Sequence, residues 1–192
     1  MFISAHLRYI HDILVQIPEA HCAIILVLSV ALTAVLLIRK KCSVYGAIAL
    51  GLAVFVGLFL LDTAVGIRYL GIVKHPSGQK LTLDFSRLIQ KSGHGTVETL
   101  SNIAVFVPFG FFLGEWIASL NRTGSWRRVG LVAMAAFGLS LSIECLQLFL
   151  QVGFFEVTDL VMNTLGAFVG AGLAVIVRKV YVNRYCSSIS NV

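Results

Sequence analysis

Two polar series stand inside the most apolar part of the chain, in ECLQLFLQVGFFEVTDLVMNTLGAFVG at 144–170. Glu144, Gln147 and Gln151 are spaced i, i+3, i+7 and share one face of a helix. Asp159, Asn163, Gly166 and Gly170 follow at i, i+4, i+7, i+11, again on one face. A Gly-Phe-Phe link joins the segments, so the two faces can meet across a tight helical hairpin. Elsewhere, Glu98 and Asn102 lie at i, i+4, and Asp62 interrupts another apolar run. Ionisable side chains at membrane depth are costly and usually face a bundle interior or a wet cavity.

Carboxyls crowded in a low dielectric disfavour one another's ionisation, so one of Glu98, Glu144 and Asp159 can hold a proton near neutral pH. Such a group can act as general acid or base, proton relay or cation ligand. Glu144 and Asp159 are therefore the candidate catalytic pair. Asn102, Gln147, Asn163, Glu98 and Asp62 are the candidate ligand contacts. Polar side chains also hydrogen-bond across helices as packing glue, each worth about 1–2 kcal/mol or less. That reading stays open for Asn102, Gln147 and Asn163, whereas a buried acid such as Glu144 is a poor choice for glue alone. Gly166, Ala167, Gly170, Ala171 and Gly172 offer a small-residue face for close helix approach. No zinc spacing, phosphate-cradling loop, Ser-His-Asp spacing, HExxH or CxxC is present, so neither a metal nor a cofactor is expected.

The elements that must position these groups follow from composition. Of 192 residues, 58% are hydrophobic and 12% charged, and the mean hydropathy is +0.91. This excludes an ordinary soluble domain and allows four to six membrane spans. The net charge of +6 does not imply nucleic acid, because the basic residues flank apolar runs as topology signals do. Cys22, Cys42, Cys145 and Cys186 form no disulfide framework.

The expected fold is all-α, an integral membrane bundle of five spans. They run at about 20–38, 44–61 extending toward 70, 98–120, 129–152 and 159–177. Residues 1–19 read as an amphipathic interfacial helix ended near Pro18, and 20–192 as a single transmembrane domain. Leu81, Leu83 and Phe85 alternate with polar residues, as in a surface strand or an interfacial turn. Pro108 predicts a kink that frees the Ala104 carbonyl.

With five spans, one side receives nine Lys/Arg (Arg39, Lys40, Lys41, Arg122, Arg127, Arg128, Arg178, Lys179, Arg184) and all the short basic loops. The positive-inside rule then puts the C-terminus in the cytoplasm and the N-terminus outside a plasma membrane. The acids and Asn residues named above fall in the outer half, leaving the cytoplasmic half nearly all apolar. A hairpin with helices ending at Val152 and starting at Asp159 leaves Glu144 deeper by on the order of 10 Å. Glu144 is thus expected to meet Asn163 or Asn102, with Asp159 at the mouth.

At NIAVFVPFGFFLGE (102–115), IECLQLFLQ (143–151) and VTDLVMNTLGAFVGA (157–171) the sequence resembles the VanZ-like membrane family, best over 98–177. The shared order is Asn and Pro-x-Gly in one helix, Glu-x-x-Gln in the next, and Asp-x-x-x-Asn-x-x-Gly in the last. The resemblance points to Asn102, Pro108, Gly110, Glu144, Gln147, Asp159, Asn163 and Gly166, with Gly170 continuing the small-residue face. It implies a cell-envelope protein tied by its family name to glycopeptide and teicoplanin tolerance. Its partners would be membrane lipid and a lipid-linked envelope precursor or peptide-like ligand, with no nucleic acid. An intramembrane transferase or hydrolase, or a purely structural scaffold, are the alternatives. Family members usually carry an Arg between the Gln and the Asp, where this chain has Gly153 or Phe154. Arg68 and Arg87 are the candidates to replace it.

Overall fold

The computed structural model describes residues 18–39, 43–71, 81–82, 93–120 and 124–189, and only the backbone of 81–82, 93–99 and 182–189. Within them the apolar runs form five long helices. Helix α1 (Glu19–Ile38) starts behind Pro18, whose ring suits the extended residue before a helix. Helix α2 (Val44–Leu61) is capped by Ser43, whose hydroxyl accepts the Gly46 N–H at 3.1 Å. It continues as a π-helical turn, Asp62–Gly66, and a last α-helical turn, Ile67–Tyr69. Helices α3 (Gly93–Ser119), α4 (Ser125–Phe149) and α5 (Val157–Ile189) complete the set. All five are long and apolar enough to cross a membrane.

The all-α fold of five spans is as the sequence predicts, with shifted ends. Helix α3 begins at Gly93 rather than near 98, α4 ends at Phe149 rather than 152, and α5 begins at Val157 rather than 159. The expected interfacial helix falls almost wholly outside the described residues. The alternation at 81–85 yields a two-residue strand β1 (Leu81–Thr82), paired in parallel with β2 (Phe155–Glu156). This pairing ties the α2–α3 connection to the α4–α5 hairpin. Helix α3 runs on through Pro108, which lies with Ala104 on the exposed side of the bundle.

Helices α3 and α5 run in parallel and approach most closely. A Cβ on Gly110 would meet the Ala167 carbonyl, one on Gly166 the Ile103 carbonyl, and one on Gly170 the Val107 carbonyl. A side chain in the way can rotate, but the backbone of a packed helix cannot. Ala167, Ala171 and Ala174 continue this face with no exposure. Val132, Ala136 and Ile143 of α4 join Phe106 and Phe109 of α3 in the apolar core. Helix α2 also packs through small residues: a Cβ on Gly51 would meet the Thr33 hydroxyl of α1, and one on Gly57 would lie 3.2 Å from the Phe109 ring. Helix α1 is peripheral, burying only Ile25 and Ser29. The outer surface is apolar, with Met134, Phe168 and Leu173 exposed, as hydrocarbon surroundings allow.

Gly166→Ala and Gly170→Ala should each lower the thermal midpoint in detergent, by overpacking that costs about 1–3 kcal/mol or more. Gly130→Ala should hold or raise it, because nothing lies within 4 Å of that position and alanine favours a helix by about 1 kcal/mol. Equal effects at all three sites would show that the α3–α5 backbone contact is not what sets stability.

Candidate functional site

The last turns of α4 turn Ser140, Glu144 and Gln147 into the bundle, and Glu144 is only 2% exposed. The helix ends at Phe149. Gln151 then takes φ +58, the left-handed conformation that ends many helices and is usually glycine's. The Val152 N–H bonds the Gln147 carbonyl at 3.0 Å and sends the chain back over the end of α4. In the returning strand the Glu156 N–H donates to Glu144 Oε2 at 2.8 Å. That donor lies just before α5, where a helix has no internal acceptor for its first N–H groups. The carboxyl and the helix start therefore satisfy each other.

Asn163 Nδ2 donates to Ser140 Oγ at 2.9 Å, which fixes the antiparallel register of α4 and α5. Glu144 is one turn beyond Ser140, and Asp159 is one turn before Asn163. The two acids are therefore level, and the charges of Asp159, Glu156 and Arg68 all reach Glu144. This corrects the expectation that Asp159 lies about 10 Å above Glu144 and that Glu144 bonds Asn163 or Asn102. The reason is the earlier end of α4 and earlier start of α5, which move the midpoint of the hairpin toward the N-terminus. Asn163 consequently falls opposite Ser140, and Glu144 bonds backbone instead.

Gln147 Nε2 donates to the Ala64 carbonyl at 3.1 Å, in the π-helical turn that continues α2. A π-turn shifts carbonyls from their usual i→i+4 partners, and such turns recur at functional sites. Gln151 does not extend the Glu144–Gln147 face, since it lies past the helix end and is exposed. A Cβ at Gly153 would sit 3.4 Å from Arg68 Nη1 and 3.2 Å from Gln147 Cβ and Cδ. The Arg68 guanidinium, from the end of span 2, thus reaches the space beside Gly153. Arg87 lies outside the described residues.

Other expected members are not all brought together. Asp62 pairs with His21 Nδ1, at 3.0 Å and 2.9 Å from its two oxygens, between α1 and α2. Asn102 is half-buried on α3, next to Ile103, whose carbonyl faces Gly166. Of Glu98 only the backbone is described, near the start of α3. Among the described residues no three His, Cys, Asp or Glu are grouped to hold a metal ion. Ser140, Glu156 and His21 were missed because nothing in their spacing marks them; each acts through a residue distant in sequence.

The opposite end of the bundle also corrects the expectation of a nearly all-apolar half. Glu115 is 3% exposed and its Oε2 accepts the Tyr45 hydroxyl at 2.6 Å. Arg178 Nη1 lies 3.6 Å from the same oxygen. Arg128 is buried as well, and its Nε and Nη1 have no hydrogen-bond partner among the described residues. Glu115 was legible in principle, being four residues inside the end of α3 and in the LGE that closes the quoted motif.

The family model described as VanZ/LLP1 matches residues 47–178, from α2 to the Arg178 end of α5. Protein VanZ of Enterococcus faecium is 31% identical over 78 residues, 40% of this chain and 43% of that protein. The chain thus matches less than half the length of that curated relative. No solved structure matches it.

The Ser140–Asn163 bond can be tested by a double-mutant cycle in detergent. Asn163→Ala and Ser140→Ala should each lower stability by about 1 kcal/mol, and the double variant should fall short of their sum by about 0.6 kcal/mol. Full additivity would mean that the pair does not set the register.

Proposed function

The chain belongs to the VanZ/LLP1 family, and we propose that it is an envelope membrane protein whose Glu144 end binds a lipid-linked or peptide-like ligand. Through that ligand it modulates susceptibility to glycopeptides such as teicoplanin. The observation that carries this reading is the buried Glu144 carboxyl. It is set against a hairpin N–H, level with Asp159, and within reach of Arg68. A carboxyl, an amide and a guanidinium at one end of an apolar bundle give acceptors and donors suited to a polar head carried on a lipid. On this reading the Glu144 end faces outward in the plasma membrane, with the N-terminus outside and the C-terminus cytoplasmic, as the basic loops favour.

The level placement of the two acids favours a second reading, an intramembrane transferase or hydrolase using Glu144 and Asp159 as acid and base. A third, structural reading has support of its own. Gln147–Ala64 and Asn163–Ser140 already hold three helices together.

Glu144→Gln keeps the shape and the acceptor for the Glu156 N–H but removes the charge. It should abolish the teicoplanin phenotype in cells while expression and melting stay close to the parent. Full tolerance from the Glu144→Gln protein would retire the site reading for this residue.

Orientation is tested separately with single cysteines in a chain whose four native cysteines are replaced. An impermeant maleimide added outside cells should label a cysteine at Ser77 and not one at Ser125. The reverse pattern would turn the Glu144 end toward the cytoplasm.

A further inference from the structure

Between α1, α2 and α4 runs a cavity of about 400 Å³, and its lining residues Ile24, Leu28 and Leu146 are exposed on the outer surface of the bundle. Its volume lies within the ~300–1,000 Å³ of ordinary ligand pockets. Its walls are aliphatic, with Leu28, Leu58 and Leu146 among them, and its polar lining is His21 and Asp62. The same π-helical turn gives Asp62 and Gly66 to this cavity and the Ala64 carbonyl to Gln147. Cavity and Glu144 site therefore share a wall one helical turn thick.

The polar pair is oriented. His21 Nδ1 lies within hydrogen-bond distance of both Asp62 oxygens, and the pair is about one-fifth exposed. A carboxylate can only accept, so Nδ1 carries the hydrogen that points at Asp62. The ring is thereby fixed with Nε2 turned away from Asp62, and Nε2 makes no hydrogen bond among the described residues. Gly66 allows this arrangement, because a Cβ there would collide with Asp62 Oδ1.

We propose that this cavity is a lipid site, holding one acyl chain along its aliphatic walls while His21 Nε2 hydrogen-bonds the lipid's phosphate-bearing head. The occupant follows from the surroundings. The three helices that form the walls are long and apolar enough to cross the membrane, so an opening between them admits hydrocarbon. A lone oriented imidazole at one end then gives the chain a polar stop. A soluble ligand would need polar groups along the walls, and the walls have none beyond the pair. The cavity deepens the lipid-linked reading of the adjacent Glu144 site and takes its outward orientation from that reading.

The test uses the full chain in nanodiscs of phosphatidylethanolamine and phosphatidylglycerol, with a diazirine-acyl phosphatidylglycerol as probe and adducts mapped by mass spectrometry. Adducts should concentrate on Leu28, Leu58 and Leu146 relative to Leu173, an exposed apolar reference on α5. They should fall when unlabelled phosphatidylglycerol or a polyprenyl phosphate is added. The stronger competitor identifies the source, ordinary phospholipid or lipid-linked precursor. Leu146→Trp, which fills the cavity, should remove the adducts at Leu28 and Leu58. His21→Ala should leave the walls intact and weaken competition about tenfold, the loss of one hydrogen bond to a charged group. That second variant carries the test if Leu146→Trp does not fold. Labelling equal to Leu173, unmoved by competitor and by His21→Ala, would reduce the cavity to annular contact and overturn the proposal. That outcome leaves the Glu144→Gln phenotype untouched, whereas a silent Glu144→Gln beside a saturable cavity would retire the Glu144 ligand reading alone.

Discussion

Backbone-to-backbone contact between α3 and α5 is the constraint on which the rest of the bundle depends. In a membrane the hydrophobic effect does not drive one apolar helix against another, so association rests on close packing and interhelical hydrogen bonds. Gly110, Gly166 and Gly170 let the two helices touch at the carbonyls of Ala167, Ile103 and Val107. With that contact made, Ala171 and Ala174 are sealed and α4 can close on α5 with Val132 and Ala136. Helix α2 then packs on α3, and α1 is added at the edge with little buried surface.

Polar groups complete what small residues begin. The Ser140–Asn163 bond sets the register of the hairpin, and that register puts Glu144 level with Asp159. Gln147 carries the arrangement across to the π-helical turn of α2, whose other wall is the His21–Asp62 cavity. A buried carboxyl in hydrocarbon is tolerated only with partners. Here one partner is a backbone N–H that the start of α5 leaves over. The catalytic reading and the scaffold reading are therefore not exclusive in structure, since the same bonds that fix the acids also hold the helices.

The bundle has two polar ends. At the far end from Glu144, Glu115 is held by Tyr45 and Arg178, so a carboxyl from α3 is shared between the start of α2 and the far part of α5. This closes the parallel α3–α5 pair at its second end and places ionisable groups where a nearly all-apolar half was expected. A span read by hydropathy alone tolerates one such acid without losing its average, which is why Glu115 does not stand out against LGEWIA.

Composition and periodicity by themselves determined the class of this protein: five apolar spans, the small-residue face on α5, and an acid-bearing hairpin near the C-terminal third. Those features are local, because span length, helical face and turn composition are properties of neighbouring residues. Tertiary structure alone decided the partners. Which N–H meets Glu144, which carbonyl meets Gln147, and that Arg68 reaches the space beside Gly153 depend on a register set by contacts between distant helices. A shift of two or three residues in each helix end, within the ordinary uncertainty of sequence boundaries, moved Asp159 by about a helical turn or more relative to Glu144. Asp62 parted from the other acids for a different reason. It lies at the end of α2 that α1 covers, and only the packing of α1 brings His21 to it.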